Sequence, residues 1–177
     1  MARTAAGGTP WVLEDPGAEV SDPHELLLGY LDWYRRALMR KIDGLSDQQL
    51  RTPVRPFGWA PLGLVKHLGW VERRWLRWGF AAEDVPPYLP GGDEVEWSVA
   101  GESVDEVITA YLAEVQRCSV LAAGADLGAP SQVGGRFPDE EAAPSLGRIL
   151  FHLLQEYARH VGQLDMVREL IDGKTGE

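Results

Sequence analysis

The sequence predicts an all-α fold, a four-helix bundle with a long crossover between its second and third helices. Four segments repeat apolar residues at spacings of three and four, the period of an amphipathic helix, and none alternates as a strand does. With 177 residues, the chain has the length of one domain with a real core. We expect an N-terminal extension over residues 1–20, anchored by Trp11, then the bundle over residues 21–173 and a tail over residues 174–177.

The first predicted helix runs from about Pro23 to Asp43. Ser21 or Asp22 can cap its N-terminus, Pro23 suits the first turn, and Gly44 ends it. A short helical turn follows. The apolar residues of the first helix share one face: Leu27, Tyr30, Leu31, Tyr34, Leu38 and Ile42.

The second predicted helix starts near Pro61 and ends near Gly79. Its apolar face holds a histidine, His67, in the middle of the stripe. The other members of that face are Leu64, Leu68, Val71, Trp75 and Trp78. The tryptophans are either large core residues or an aromatic wall at a substrate pocket or dimer interface, and we expect Trp75 to be a core residue.

The third and fourth helices have clear start signals. Ser103 and Glu106 form a capping-box pattern, in which each side chain satisfies a free backbone N–H group. The fourth helix opens at Ser145 and runs to about Ile171, with Gly173 as its stop. Both helices carry an apolar face over several turns, so they complete a set of four core-facing helices.

Two long stretches rich in Gly and Pro connect these helices, over residues 81–102 and 124–143. Loops of this length are uncommon in compact domains and are often functional. The first is long enough to cross the bundle, so the second and third helices need not be antiparallel neighbours.

The composition excludes several classes of partner. A formal net charge of −10 repels nucleic-acid phosphate and anionic lipid, and no apolar run approaches the roughly 18 residues of a membrane span. We therefore expect no nucleic-acid partner and no membrane. The N-terminus lacks the apolar segment of a secretory signal, and the single cysteine, Cys118, cannot form an intrachain disulfide. These features predict a cytoplasmic protein in which Cys118 is a buried, inert thiol.

The fourth helix carries the residues that suggest chemistry. Glu156 and His160 are four apart and stack on one helix face, with His152 one turn before them and Gln163 about one turn after. A polar stripe beside a core face is costly unless its members are paired or bind a ligand. Glu156, His160 and a histidine from a facing helix, His67, would give a divalent metal three ligands and leave positions open, as in catalytic sites.

The spacing alone leaves a simpler reading open. An acid four residues before a histidine also forms ordinary ion pairs on helix surfaces. His152 has three possible roles. It could orient Glu156 or pass protons, it could be a fourth, weaker metal ligand, or it could be a histidine with only a backbone contact. Gln163 is a candidate hydrogen-bond donor beside the metal ligands.

Three stretches resemble the DinB superfamily of metal-binding four-helix bundles. They are most similar to its branch related to mycothiol-dependent maleylpyruvate isomerase and to DinB-related domains of unknown function. The stretches are Leu26-Leu27-Leu28-Gly29-Tyr30-Leu31-Asp32-Trp33-Tyr34-Arg35, Gly58-Trp59-Ala60-Pro61-Leu62-Gly63-Leu64-Val65-Lys66-His67-Leu68 and Glu156-Tyr157-Ala158-Arg159-His160-Val161-Gly162-Gln163-Leu164-Asp165. In outline the resemblance covers residues 25–173.

The resemblance implies a ligand set and a cofactor. Matched by motif, the metal ligands of that superfamily fall on His67, Glu156 and His160. Many members have histidine where this sequence has Glu156. A glutamate carboxylate is still a competent metal ligand at that position. The implied metal is zinc, with nickel, manganese and iron as alternatives. The implied cofactor is a low-molecular-weight thiol such as mycothiol or bacillithiol, whose thiolate the metal would bind and activate.

The leading function is therefore a metal-dependent thiol S-transferase or isomerase that acts on a small electrophilic substrate. A metal-dependent hydrolase would use the same site with water as the nucleophile. A metal-storing or metal-sensing protein and a non-enzymatic interaction bundle are further alternatives. A homodimer is expected from family habit and from the surplus of aromatic residues. The sequence offers no support for Cys-His or Ser-His-Asp catalysis. It also contains no Gly-rich phosphate-binding loop.

Overall fold

The computed structural model describes residues 13–175, apart from the side chain of Asp93. Trp11 and most of the predicted extension lie outside the described residues. Within the described part the regular structure is helical, and the one β-bridge is an isolated pair between Pro130 and Ser145. The helices are α1 (Pro23–Ile42), α2 (Asp47–Arg51), α3 (Pro61–Glu72), α4 (Asp93–Trp97), α5 (Val104–Ala123) and α6 (Leu146–Asp172), and a π-helical segment (Arg73–Phe80) continues α3.

The predicted helix ends agree closely with the structure because capping chemistry sets them. The Asp22 carboxylate accepts hydrogen bonds from backbone N–H groups at the start of α1. Ser103 and Glu106 form the predicted capping box of α5, and the Ser145 hydroxyl caps α6. Gly173 follows α6 with a φ of 75°, a left-handed conformation that glycine adopts without strain.

The second helix departs from the prediction after Glu72, where its backbone changes from α to π. A π-helical turn takes more residues than an α-helical turn, so the buried face shifts along the sequence. The segment buries Arg74, Leu76 and Gly79, whereas Trp75 and Trp78 are only half-buried. The expectation that Trp75 is a core residue therefore holds only in part, since Leu76 lies deeper.

The stretch over residues 81–102 contains a short helix, α4, that the sequence analysis did not predict. It packs on α3, and Gly63 makes this close approach possible. A Cβ atom at Gly63 would lie 2.4 Å from the backbone oxygen of Trp97, a distance that forbids any side chain there. The Lys66 ammonium also donates to the backbone oxygens of Val95 (3.2 Å) and Ser98 (2.8 Å), which fixes α4 against α3.

The long helices share one apolar core. α1 packs mainly on α6 and α3 on α5, and α3 also contacts α6. The largest fully buried side chains are leucines of α1, α3, the π-helical segment and α6, together with Ile149, Tyr111 of α5 and Tyr157 of α6. Cys118 is completely buried, as expected, and burial raises the pKa of its thiol. Among the described residues, no helix combines the length and apolar character that crossing a bilayer requires.

A buried polar network crosses this core. Glu72 is completely buried, and its carboxylate accepts two hydrogen bonds from the Arg35 guanidinium, at 2.7 and 2.9 Å. The Tyr157 hydroxyl donates to the same carboxylate at 3.0 Å and lies 3.0 Å from the Tyr111 hydroxyl. Arg35 also donates to the Ser119 hydroxyl at 3.1 Å. The network therefore joins α1, α3, α5 and α6 at one point.

We predict that Glu72→Gln lowers the free energy of unfolding by about 3–5 kcal/mol, because it leaves the Arg35 charge buried without a counter-charge. Urea unfolding followed by circular dichroism measures this loss. Glu169→Gln, at an exposed position of α6, is the matched control and should change stability by less than about 0.5 kcal/mol. Equal, small effects of the two substitutions would contradict the structural role given to the network.

Candidate functional site

The structure brings His67 of α3 together with Glu156 and His160 of α6. One ligand-capable atom of each residue lies within 4.8 Å of the corresponding atoms of the other two. The side chains are mostly buried, with exposed fractions of 14% for His67, 20% for Glu156 and 12% for His160. The two imidazole rings meet edge to face, with centroids 5.2 Å apart. Residues distant in sequence thus form one compact cluster of nitrogen and oxygen donors.

Hydrogen bonds orient both imidazole rings in the same way. The Nδ1 atom of His67 lies 2.6 Å from Glu96 Oε1, and the Nδ1 atom of His160 lies 3.1 Å from Gln163 Oε1. A carboxylate or amide oxygen only accepts hydrogen bonds, so each Nδ1 carries the proton and donates it. In the neutral rings, each Nε2 atom therefore keeps a free lone pair, which is the form that a metal ligand needs.

The surroundings of His160 favour its neutral form. Burial is the main cause of a lowered pKa for this imidazole, and the nearby His67 lowers it further. The Glu156 charge and the hydrogen bond to Gln163 act in the opposite direction without cancelling the effect of burial. His160 Nε2 lies 3.4 Å from Glu156 Oε2, so the nitrogen and the carboxylate oxygen face the same space.

A buried carboxylate from α4 holds His67 in place. Glu96 is only 2% exposed, and it accepts two hydrogen bonds from Arg74 of the π-helical segment, at 2.5 and 3.0 Å. Burial alone would raise the pKa of Glu96, but the hydrogen bonds from His67 and Arg74 hold it below its usual value. The Arg74 guanidinium in turn lies 5.2 Å from the centre of the Tyr88 ring.

The next residue of α4, Trp97, forms an aromatic wall of the site. Its ring stacks on His67 with centroids 4.2 Å apart and planes 18° apart, and it lies 5.9 Å from the His160 ring. Trp59 packs behind Trp97 at 6.1 Å. One short helix thus supplies both the carboxylate that orients His67 and the indole that covers it.

His152 lies on the other side of Glu156. Its Nε2 atom is 3.6 Å from Glu156 Oε1, and its ring packs on Trp75 with centroids 4.2 Å apart. Burial is the main cause of a lowered pKa for His152. The remaining histidine, His24, lies in another part of the molecule, where its Nε2 atom is 3.0 Å from the backbone oxygen of Ala122.

A family model for mycothiol-S-transferases matches residues 26–173. The chain belongs to the mycothiol-S-transferase family. This match confirms the resemblance to the DinB-like superfamily, and it includes His67, Glu156 and His160. Among curated proteins, no sequence matches the chain.

The donor set of this mycothiol-S-transferase family member fits a divalent transition metal. Two neutral imidazoles and one carboxylate suit zinc, nickel or iron, and three protein ligands leave room for a further ligand. Cys118 is a poor alternative ligand because it is completely buried and its thiol pKa is raised. These three side chains could therefore hold one metal ion through His67 Nε2, the Glu156 carboxylate and His160 Nε2.

Glu96, Arg74 and Trp97 complete the site, and none of them is among the site residues predicted from the sequence. Arg74 could not be predicted because the π-helical segment buries it, whereas α-helical periodicity does not place it on the apolar face. Glu96 and Trp97 lie on a five-residue helix, too short to show periodicity. The available signal was an acidic and aromatic run, residues 94–97, inside a Gly- and Pro-rich loop of a length typical of functional loops.

We predict that Glu96→Gln weakens zinc binding about 10- to 100-fold, because the amide no longer supplies the negative charge that orients His67 and raises its basicity. Competition with a chromophoric chelator measures the affinity. The control, Glu94→Gln, changes an exposed carboxylate two residues earlier and should leave the affinity unchanged. A wild-type affinity in Glu96→Gln would show that this carboxylate does not support the site.

Proposed function

We propose that the protein is a metal-dependent mycothiol S-transferase. It would hold one divalent metal, zinc in the first instance, on His67, Glu156 and His160, and would join mycothiol or a similar small thiol, through its sulfur, to a small electrophile. The observation that carries the proposal is the pair of imidazoles whose Nδ1 atoms both meet an oxygen acceptor. They leave two Nε2 lone pairs beside Glu156 in a chain of this family.

The charges of the proposed site favour a thiolate. A divalent metal, when bound, would favour the deprotonated form of a thiol that coordinates it. Among the three ligands only Glu156 is charged, so one positive charge remains to attract a thiolate. Arg74 neutralises the charge of Glu96 next to the site, so Glu96 adds little repulsion against the incoming anion.

The proposed reaction balances as a substitution at carbon. The thiol gives up its proton, the sulfur electron pair forms a bond to the electrophilic carbon, and the leaving group departs with the former bonding pair. If the electrophile is an unsaturated acceptor, the electron pair moves onto the acceptor and a proton is taken up instead. His152, half-buried beside Glu156, offers its Nε2 atom for the released proton. Gln163 keeps the His160 ring in its orientation.

The helix arrangement supports a DinB-like bundle for this activity. We propose that α1, α3, α5 and α6 are its four helices, and that the chain crosses the bundle between the π-helical segment and α5. The pairing of α1 with α6 and of α3 with α5 agrees with this arrangement. The crossover segment is then the part of the chain that delivers Glu96 and Trp97 to the site.

We predict that protein purified without a His-tag binds about one equivalent of zinc, and that His67→Ala and Glu156→Ala lose it. Mass spectrometry of metal content, after incubation with zinc and desalting, measures the stoichiometry. His24→Ala is the matched control, because it removes a histidine whose ring contacts a backbone oxygen remote from the site. A folded parent that takes up no metal would overturn the proposal.

A separate assay measures whether the activity requires a small thiol. Zinc-loaded protein should accelerate the reaction of mycothiol with monochlorobimane, followed by fluorescence, and Glu156→Ala should abolish the acceleration. A protein that binds zinc but gains nothing from any small thiol, and hydrolyses esters instead, would contradict the transferase proposal and favour a hydrolase.

A further inference from the structure

A groove of about 480 Å³ opens beside the candidate metal site. His152 lines this groove and also lies against Glu156, so the groove and the site share a wall. The start of α6 forms one side through Arg148 and Phe151, and Trp75 of the π-helical segment forms the other. The volume is sufficient for a ligand of one aromatic ring with a few substituents.

The walls of the groove combine polar side chains with two aromatic rings, those of Phe151 and Trp75. Phe151 is 64% exposed on the groove side of α6, although its neighbours Leu150 and Leu153 are completely buried. Trp75 is half-buried and presents its ring to His152. An exposed phenylalanine beside an accessible indole is a common arrangement for binding flat apolar groups.

One arginine, Arg148, lines the groove, and a second, Arg136, stacks on the Trp75 ring that forms its wall. Arg148 is exposed at the groove, and no carboxylate of the described residues lies within salt-bridge distance of its guanidinium. Arg136 stacks on Trp75 at 4.1 Å and likewise has no carboxylate partner in the described part of the chain.

The two guanidiniums act on the same region of the molecule. Arg148 lines the groove beside His152, and Arg136 lies over the Trp75 ring that packs on His152. Because neither guanidinium has a carboxylate partner among the described residues, both are available to an anionic ligand at the groove. An anionic ligand explains their position because a guanidinium binds carboxylate oxygens in a bidentate manner.

We propose that this groove binds the electrophilic substrate, and that it selects electrophiles that carry a carboxylate on an apolar, preferably aromatic, body. The body lies between Trp75 and Phe151, the carboxylate meets Arg148 and Arg136, and the reactive carbon points past His152 toward Glu156. This inference rests on the proposed function and deepens it by naming the substrate class.

The first test measures binding without turnover. Ligand-observed NMR compares 4-methylbenzoate with 4-methylbenzamide, which have similar shapes but differ in charge. We expect the benzoate to bind about tenfold more tightly than the benzamide. Arg148→Ala and Arg136→Gln should each reduce this preference several-fold, and the double variant should abolish it. Arg117→Ala, which removes an exposed arginine on α5, should leave it unchanged.

The second test uses reactive versions of the same pair, 4-(chloromethyl)benzoate and 4-(chloromethyl)benzamide, with mycothiol and zinc-loaded protein. The mycothiol sulfur displaces chloride, which leaves with the bonding electrons, and the thiol proton passes to solvent. Arg148→Ala should raise KM for the benzoate about tenfold, without a change in kcat or in either constant for the benzamide.

The outcomes separate the two proposals. Selective binding of 4-methylbenzoate without thiol transfer would support the groove and overturn the proposed transferase. Equal binding of benzoate and benzamide, or the same loss in Arg117→Ala as in Arg148→Ala, would overturn the groove assignment whatever the activity. A rise in the KM for mycothiol in Arg148→Ala with both electrophiles would show that the groove binds the thiol. This result would also overturn the assignment of the groove to the electrophile.

Discussion

The buried carboxylate of Glu72 constrains the whole structure. A charge without access to water is tolerated only where a counter-charge and hydrogen bonds surround it, and Arg35 and Tyr157 supply these from two other helices. This requirement fixes the relative positions of α1, α3 and α6 in the core. Because Tyr157 follows Glu156 directly in α6, and α3 carries both Glu72 and His67, the same network sets how the two halves of the candidate site face each other.

The site itself combines rigid helices with one inserted segment. α3 and α6 bring His67, Glu156 and His160 together, but they do not determine which nitrogen of His67 faces the others. That choice depends on Glu96, a carboxylate delivered by α4 and held by Arg74. The π-helical segment therefore has two consequences, since it turns Arg74 inward to Glu96 and leaves Trp75 at the edge of the groove. The candidate metal site and the groove therefore both depend on the change of the backbone from α to π after Glu72.

The parts of this account that the sequence predicts are those with a regular period or a local cap. The helices of the core, the ends at Ser103 and Gly173, and the approach of His67 to the Glu156 and His160 pair all follow from spacing, capping and family resemblance. The π-helical segment and α4 cannot be predicted from the sequence in this way. Neither a change from α-helical to π-helical turns nor a five-residue helix produces a periodic pattern of apolar residues. The contacts of Glu96 and Trp97 are set by the packing of a loop, which only the three-dimensional structure records.

The most direct test of the central claim is a crystal structure of the zinc-loaded protein, with anomalous diffraction measured at the zinc absorption edge. The account predicts one strong anomalous peak, about 2.0–2.2 Å from the Nε2 atoms of His67 and His160 and from a carboxylate oxygen of Glu156, with Glu96 still hydrogen-bonded to His67 Nδ1. A zinc ion bound through His67 Nδ1, or one bound at His24 or His152 instead, would contradict it.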